Sequence, residues 1–106
     1  MARISPEAEK SDFKEGKISL SVFFPCHNER ENVPLIVEKA IAVLEGICGD
    51  WEVIVVDDGS IDGTGEIADE LAKKYERIRV VHHPTNLGYG AALQSGFKAA
   101  TKDLVF

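Results

Sequence analysis

Residues 51–63 read WEVIVVDDGSIDG, and in this stretch a strand pattern runs directly into a turn pattern. The segment from Trp51 to Val56 is short and mainly apolar, which is typical of a strand covered on both faces in a parallel sheet. The residue types from Asp57 to Gly63 favour a turn. The stretch therefore predicts an α/β domain in which a parallel strand ends in an acidic loop.

Strand and helix patterns alternate on both sides of this stretch. The predicted strands are residues 18–24, 51–56, 78–81 and 104–106, and the predicted helices are residues 32–47, 64–75 and 88–100. Pro25 is expected to end the first strand, because proline cannot continue a central strand. The order βαβαβαβ predicts a three-layer α/β/α, Rossmann-like fold with a mostly parallel sheet. In such a fold, ligands bind at the carboxyl ends of the strands.

Length and composition limit the class of protein. A chain of 106 residues fits one small domain. Its net charge of −6 argues against nucleic-acid binding by bulk electrostatics. No run approaches the roughly 18 apolar residues of a membrane span, and the N-terminus lacks a signal-peptide pattern. Cys26 and Cys48 form no C-x-x-C motif, so we expect reduced thiols and a cytoplasmic protein.

Two regions of unequal order are predicted. Residues 1–17 mix both charges with Pro6 and Gly16, which predicts a flexible N-terminal tail or a loose helix. Residues 18–106 are predicted to be the folded domain. The chain stops at Phe106 inside an apparent strand, so we expect an N-terminal fragment of a longer protein.

Three polar clusters follow three successive predicted strands. They are residues 25–29 (PCHNE), 57–60 (DDGS) and 86–90 (NLGYG). Because the carboxyl ends of parallel strands meet at one edge of the sheet, we expect the clusters to converge on one crevice.

The residue types in these clusters suit a nucleotide or a cation. Asp57 and Asp58 repel each other, so a compensating group is expected, and a carboxylate at a strand end can accept the ring N–H of a base or join the outer shell of a metal. Gly88 opens a helix, where backbone N–H groups can face a phosphate. The competing interpretation is structural: Asp58 caps the following helix, Asn86 caps the next, and Gly88 permits close packing.

The clusters and their surroundings resemble family 2 glycosyltransferases of the GT-A fold. The similar segments are SVFFPCHNERENVP, VIVVDDGSIDGTGEIADELA and HHPTNLGYGAALQSGFKAATKDLVF, and they cover about residues 18–106. The second and third segments look most like polyprenyl-phosphate glycosyltransferases of the dolichol-phosphate mannose synthase type. The resemblance implies transfer of a sugar from a UDP- or GDP-linked donor to a lipid phosphate or a saccharide acceptor. In a full-length parent it also implies work at the cytoplasmic face of the membrane.

The resemblance also assigns roles to residues. It implies that the nucleoside is held by Pro25, Asn28, Glu29, Asp57 and Asp58, and that Asn86 and Gly88 lie near the diphosphate. His27 matches a position that varies in the family and is often tyrosine, so no contact by this residue is expected. The histidines also lack the spacing of a metal site.

The family's metal ligands and catalytic base come later in the sequence. These enzymes carry a D-x-D motif after the fourth strand, and its carboxylates bind Mg²⁺ or Mn²⁺ on the donor diphosphate. These residues are expected downstream of Phe106, so no catalytic residue or metal ligand is assigned here, and we predict that this chain alone has no transferase activity.

Two other classes of function stay open at this stage. The segment VIVVDD also resembles the acidic pair of a phosphoacceptor receiver domain, although Asp103 precedes its strand instead of ending one. Alternatively, the chain is a non-catalytic interaction module that forms a homo-oligomer through an unpaired sheet edge.

Overall fold

The computed structural model describes residues 10–106, in which helices and strands alternate. The strands are β1 (Leu20–Cys26), β2 (Trp51–Asp58), β3 (Ile78–His83) and β4 (Leu104–Val105). The helices are α1 (Lys10–Lys14), α2 (Val33–Ile47), α3 (Thr64–Lys74) and α4 (Tyr89–Ala99). The predicted alternation is confirmed, and the ends of the predicted strands and helices differ from the observed ones by at most two residues.

The four strands form one parallel sheet in the order β3-β2-β1-β4. Strands β2 and β3 are added on one side of β1 and β4 on the other, so the order reverses between β1 and β4. In doubly wound folds such a reversal opens a crevice at the carboxyl ends of the strands. The parallel sheet was predicted, whereas its order depends on contacts between distant segments that no local pattern shows.

The prediction that β1 ends before Pro25 was wrong, because β1 continues to Cys26. Phe23 donates its backbone N–H to Phe106 O on the β4 side of the strand. Alternate residues of a strand direct their backbone groups to the same neighbour, so the ring nitrogen of Pro25 also faces the β4 side. The described pairing with β4 is short and involves only the first part of β1, so proline costs no ladder hydrogen bond at this position.

Helices cover both faces of the sheet. Alternate residues of β2 point to opposite faces, and all eight of its residues are buried. Val53 and Val55 pack beneath α2 and α3, whereas Ile54 and Val56 pack beneath α4. Helix α4 lies close to the sheet at Gly96, where a Cβ atom would be 2.1 Å from the ring of Phe23. The predicted three-layer α/β/α arrangement is thus confirmed.

Part of the predicted tail lies within the described residues. Residues 10–14 form α1, Phe13 packs against the α2 side of the core, and Gly49 donates its N–H to Phe13 O at 2.7 Å. Residues 1–9 lie outside the described residues, so the division at residue 17 stays a prediction. No helix in the described part of the chain is long and apolar enough to cross a membrane.

Glu52 is a buried carboxylate near the amino end of β2, at the edge of the sheet opposite the polar clusters. It accepts hydrogen bonds from Ser21 Oγ at 2.7 Å and Thr101 N–H at 2.8 Å and pairs with Arg79. Burial alone would raise the pKa of Glu52, but these hydrogen bonds outweigh it and lower the pKa to about 2. The network therefore stabilises the fold at a distance from the candidate site.

Candidate functional site

Three loops meet at the carboxyl edge of the sheet, and we call them the strand-end loops. Loop 1 is residues 27–32 after β1, loop 2 is residues 59–63 after β2, and loop 3 is residues 84–88 after β3. The register of the sheet pairs Cys26 with Asp57 and Asp57 with His82, so the three strands end at the same level. The sheet thus brings the three predicted polar clusters together at one edge.

Asn28 connects loop 1 to loop 2. Its φ of 52° lies in the left-handed region, which asparagine tolerates better than most residues. Its backbone N–H donates to Ser60 Oγ at 2.9 Å, and its side-chain Oδ1 accepts from the N–H of Ile61 at 2.9 Å. The next N–H, that of Glu29, donates to Thr64 Oγ1 at 2.9 Å. The side chain of Asn28 is therefore committed to loop 2, whereas the side chain of Glu29 is exposed.

Asp58 holds loop 3 and the start of α4. Its buried carboxylate accepts from the backbone N–H groups of Leu87 at 2.8 Å and Gly88 at 3.1 Å. His83 Nδ1 lies 2.8 Å from the same carboxylate, and His83 Nε2 lies 2.7 Å from Ser95 Oγ on α4. The hydrogen bond from His83 is the main cause that lowers the pKa of Asp58, so this side chain is a carboxylate at neutral pH.

Asp57 lies on the opposite face of the sheet, beside α3. Its Oδ1 accepts from the N–H of Ser60 at 3.1 Å, and its Oδ2 lies 3.1 Å from His82 Nδ1. His82 Nε2 is 2.8 Å from Asp69 Oδ1 on α3. The hydrogen bond with Asp69, and then that with Asp57, raises the pKa of His82, which favours its charged form.

Each carboxylate of the acidic pair thus has its own histidine. The sheet pairs Asp57 with His82 and Asp58 with His83, and the alternation of the two strands sends one pair to each face. The compensating groups expected for the adjacent charges are these two histidines, and the sequence analysis did not identify them. The sequence does contain a signal for them. Strand β2 ends in two adjacent aspartates, and the next strand, β3, ends in two adjacent histidines.

Loop 3 packs tightly on loop 2. Gly59 has a φ of 69°, and a Cβ atom on it would lie 2.2 Å from the carbonyl carbon of Thr85. Gly88 has a φ of 98°, and its N–H donates both to Asp58 and, at 3.0 Å, to Asn86 Oδ1. A phosphate at this N–H would have to compete with the carboxylate of Asp58. Both glycines are required by backbone conformation, and Gly59 also by the close approach of the two loops.

His27, the first residue of loop 1, contacts the end of β2 and loop 3. Its Nδ1 lies 2.8 Å from Asp58 O at the end of β2, and its Nε2 lies 3.3 Å from Asn28 Nδ2 and 3.3 Å from Asn86 Nδ2. The resemblance gave no expected contact for this residue, so its place where loop 1, the end of β2 and loop 3 meet, which we call the junction, was missed. Because its partners come from three separate segments, only the folded arrangement shows it.

The structure divides the predicted site residues into groups. Asn28, Asp58, Asn86 and Gly88 are joined to one another through direct hydrogen bonds or through His27. Asp57 lies at the same edge but faces α3, Glu29 is exposed on loop 1, and Pro25 is half-buried in β1. Among residues 10–106, no group of three or more His, Cys, Asp or Glu side chains is arranged to hold a metal ion.

The thiol of Cys26, at the end of β1, stays protonated. Burial, and then the nearby Asp57, raises the pKa of this thiol to about 12.

Comparisons with known proteins give consistent matches. The model of the family described as "Glycosyl transferase family 2" matches residues 21–106. The polyprenol monophosphomannose synthase of Mycolicibacterium smegmatis is 47% identical over 77 residues, which are 72% of this chain and 28% of that protein. A solved mannosyltransferase from Pyrobaculum calidifontis, in complex with GDP-Man and Mn²⁺, is similar with a TM-score of 0.65 and 31% identity. That similarity covers 81% of this chain and 25% of the mannosyltransferase.

A second solved structure covers nearly the whole chain. Glucosyl-3-phosphoglycerate synthase from Mycobacterium tuberculosis, in complex with Mn²⁺, UDP and glucosyl-3-phosphoglycerate, has a TM-score of 0.67 and 25% identity. The similarity covers 98% of this chain and 38% of the synthase. This chain therefore spans between about a quarter and two fifths of the length of these three proteins.

Proposed function

The chain belongs to glycosyl transferase family 2, and we propose that residues 18–106 bind the nucleotide of a nucleotide-diphosphate sugar as the N-terminal part of a GT-A glycosyltransferase domain. The predicted Rossmann-like fold of the GT-A type is confirmed by the similar solved structures. The division of the chain and the roles of individual residues are proposals.

The observation that carries the proposal is the joining of the three strand-end loops by side-chain hydrogen bonds. Asn28 on loop 1 binds loop 2, Asp58 at the end of β2 binds loop 3, and His27 on loop 1 contacts both Asp58 and loop 3. The three loops lie at the carboxyl edge of the sheet, where doubly wound folds bind nucleotides beside the reversal in strand order. A preformed edge of this kind lowers the entropy cost of binding a ligand.

The acidic residues are proposed to recognise the base. Each carboxylate oxygen of Asp57 takes one hydrogen bond in the structure, whereas a carboxylate oxygen can accept two. Acceptor capacity therefore remains for the ring N–H of uracil or guanine. Glu29 is exposed on the neighbouring loop and offers a second carboxylate. We keep Pro25 and Asn28 as proposed neighbours of the nucleoside.

Relatives guide the proposals for donor and acceptor. One similar structure contains GDP-Man and the other contains UDP, so the donor is proposed to be linked to GDP or UDP. The curated relative is named for polyprenol monophosphomannose synthesis, so we propose a polyprenyl phosphate acceptor for the whole protein. Transfer to such a lipid would take place at a membrane face, as expected from the sequence.

Both similar structures contain Mn²⁺, which indicates use of a divalent metal ion in the family. The residues described in this structure do not fit such an ion, because none of their acidic, His or Cys side chains form a group of three that could hold it. We therefore assign metal ligands to none of these residues. The proposed role of this part of the chain is to bind and orient the nucleotide.

The receiver-domain alternative disagrees with the topology. A receiver has the flavodoxin-like strand order 2-1-3-4-5, whereas this sheet has the order β3-β2-β1-β4. Asp103 precedes β4, and its Oδ2 accepts from the backbone N–H and the hydroxyl of Ser19 at 3.0 Å each. The acidic pair therefore lies in a different fold from a phosphoacceptor site. Association through the sheet edge stays a prediction.

Titration of the ¹⁵N-labelled chain with UDP and GDP, followed by ¹H–¹⁵N NMR, tests the proposal. We expect weak binding, with the largest shifts at amides of the strand-end loops such as Asn28, Ser60 and Gly88, and small shifts near Glu52 at the opposite edge. Shifts that concentrate at the Glu52 edge, or no shifts at millimolar nucleotide, would contradict the proposed site.

A matched pair of variants sharpens this test. Glu29 and Glu31 are both exposed and lie on loop 1, so neither substitution by glutamine is expected to disturb the fold. Glu29→Gln should weaken nucleotide binding about tenfold, the effect of losing one hydrogen bond to a charged group. Glu31→Gln should leave the Kd unchanged. Equal effects of the two substitutions would exclude a specific contact by Glu29.

A further inference from the structure

We propose that His27 is a positioning residue of the nucleotide site, in which its neutral ring, with the proton on Nδ1, holds the three strand-end loops together. Protonation of the ring then loosens the junction and weakens nucleotide binding. The binding part of this inference rests on the proposed function. The state of the ring and its effect on the loops are properties of the chain without a ligand.

The partner of Nδ1 determines where the ring proton lies. His27 Nδ1 is 2.8 Å from the backbone carbonyl oxygen of Asp58. A carbonyl oxygen can only accept a hydrogen bond, so Nδ1 must carry the proton. In the neutral ring, Nε2 is then unprotonated and can only accept.

The two amide groups near Nε2 are oriented independently of the histidine. Asn28 Oδ1 accepts from the backbone N–H of Ile61 at 2.9 Å, and Asn86 Oδ1 accepts from that of Gly88 at 3.0 Å. A backbone N–H can only donate, so in both side chains the oxygen is the atom that faces the backbone. The Nδ2 groups of both asparagines therefore face His27 Nε2, each at 3.3 Å.

The ring is thus placed between one acceptor and two donors. A neutral ring with its proton on Nδ1 matches all three partners. A protonated ring presents an N–H at Nε2 to two amide N–H donors, and neither asparagine can rotate its oxygen towards the ring without losing its backbone partner on loop 2 or loop 3. Protonation of His27 is therefore incompatible with the hydrogen bonds that order the loops.

Asn28 and Asn86 make the same kind of double contact. The side-chain oxygen of Asn28 holds loop 2, and that of Asn86 holds loop 3. The side-chain nitrogen of each asparagine faces the ring of His27, so the ring connects loop 1 to loop 3. Other ionisable side chains lie on the loops and strand ends near His27 or bond to those that do, and their titration must be separated from that of His27. They are Glu29, Arg30, Asp57, Asp58, Asp62, Asp69, His82 and His83.

The first experiment reads the ring in the chain without nucleotide. Long-range ¹H–¹⁵N correlation spectra of the ¹⁵N-labelled chain distinguish the two neutral tautomers, and we expect the Nδ1–H form for His27. In spectra recorded at a series of pH values between about 8 and about 5, the amide signals of Ile61 and Gly88 should shift together with those of this ring. An Nε2–H tautomer, or amide signals that do not change when the ring is protonated, would overturn the proposal.

The second experiment uses two substitutions that keep different parts of the ring. His27→Asn retains a donor near the place of Nδ1 but has no group at the place of Nε2. His27→Gln reaches the place of Nε2 with an acceptor oxygen and does not titrate. Circular dichroism and thermal unfolding identify any variant that fails to fold, and the spectra of the unaltered chain test the proposal without either variant.

Nucleotide affinity is then measured against pH by titration calorimetry with UDP and GDP. In the unaltered chain we expect the Kd to rise about tenfold from pH 8 to pH 5, the cost of about one hydrogen bond at the junction. His27→Gln should remove most of this rise and bind tightly at both pH values, and His27→Asn should bind weakly at both.

The outcomes separate the two proposals. If the nucleotide binds and both variants show the same rise in Kd as the unaltered chain, His27 is not a positioning residue. If no nucleotide binds at any pH, the proposed function is wrong. In that case the shifts of Ile61 and Gly88 in the chain without ligand still decide whether His27 positions the loops.

Discussion

Substitution of Asp58 by asparagine tests the central contact of the candidate site. The carboxylate accepts three donors, from His83, Leu87 and Gly88, and its side chain is buried. Asparagine offers a single oxygen, so its NH₂ group must face at least one of these donors. Loop 3 and the first turn of α4 would lose their charged anchor.

The magnitude follows from the number and type of bonds. A hydrogen bond to a charged group contributes about 1 kcal/mol more than one between neutral groups, and a buried donor left without a partner costs at least about 1 kcal/mol. Two weakened bonds and one lost bond give a decrease of about 3 kcal/mol in the free energy of unfolding. For a chain of this length, that corresponds to a fall of about 13 °C in Tm.

Urea unfolding followed by the fluorescence of Trp51, the one tryptophan in the sequence, measures this loss. The matched control is Asp69→Asn, because Asp69 also pairs with a histidine but is half-exposed on α3. An exposed pair of this kind contributes at most about 1 kcal/mol. A loss for Asp58→Asn no larger than that of the control would refute the anchoring role that the structure assigns to Asp58.

Other predictions concern the packing and the acid stability of the fold. Gly96→Ala should destabilise the chain by about 2 kcal/mol or more, because its Cβ would lie 2.1 Å from the ring of Phe23, as for other overpacked core positions. Gly46→Ala on α2, with no atom within 4 Å of its Cβ, should stabilise it by about 0.5–1 kcal/mol, and thermal unfolding of both variants checks the difference in sign. The pKa of Glu52 is lowered from 4.5 to about 2, so its ionisation contributes about 3 kcal/mol above pH 4.5, and this contribution is lost as the pH falls towards 2. In Glu52→Gln, the free energy of unfolding measured between about pH 5 and pH 2 should depend less on pH than in the unaltered chain. The same dependence on pH in both would contradict the lowered pKa.

The sequence predicted those features of the fold that depend on neighbouring residues. The buried run of β2 and the helical period of α2 are local patterns, and both were identified almost to the residue. The order of the strands depends on which strands pair with one another, and the continuation of β1 through Pro25 depends on which strand lies beside it. No local pattern contains this information. The alternation of strands and helices gave the edge of the sheet at which ligands are expected, and the resemblance supplied the family.

The prediction of the site was limited for the same reason. Strand alternation alone implies that Asp57 and Asp58 point to opposite faces, yet the crevice was predicted as if both entered it. Their partners, His82 and His83, lie 25 positions away in the sequence and become neighbours only through the parallel pairing of β2 with β3. The role of His27 required the positions of two asparagines on different loops.

These contacts imply two distinct ways of weakening the proposed nucleotide binding. Asp58, Asn28 and Asn86 already bond to other parts of the protein, so in the structure they shape the edge more than they offer free groups to a ligand. Glu29 is exposed and is therefore the better placed for direct contact, whereas Asp57 is as buried as Asp58 and offers only unused acceptor capacity. Loss of affinity should therefore accompany loss of stability in Asp58→Asn, whereas Glu29→Gln should lose affinity at unchanged stability. If both variants lost affinity without any loss of stability, the carboxylate of Asp58 would be a direct ligand and its bonds to loop 3 would be exchanged for the nucleotide on binding.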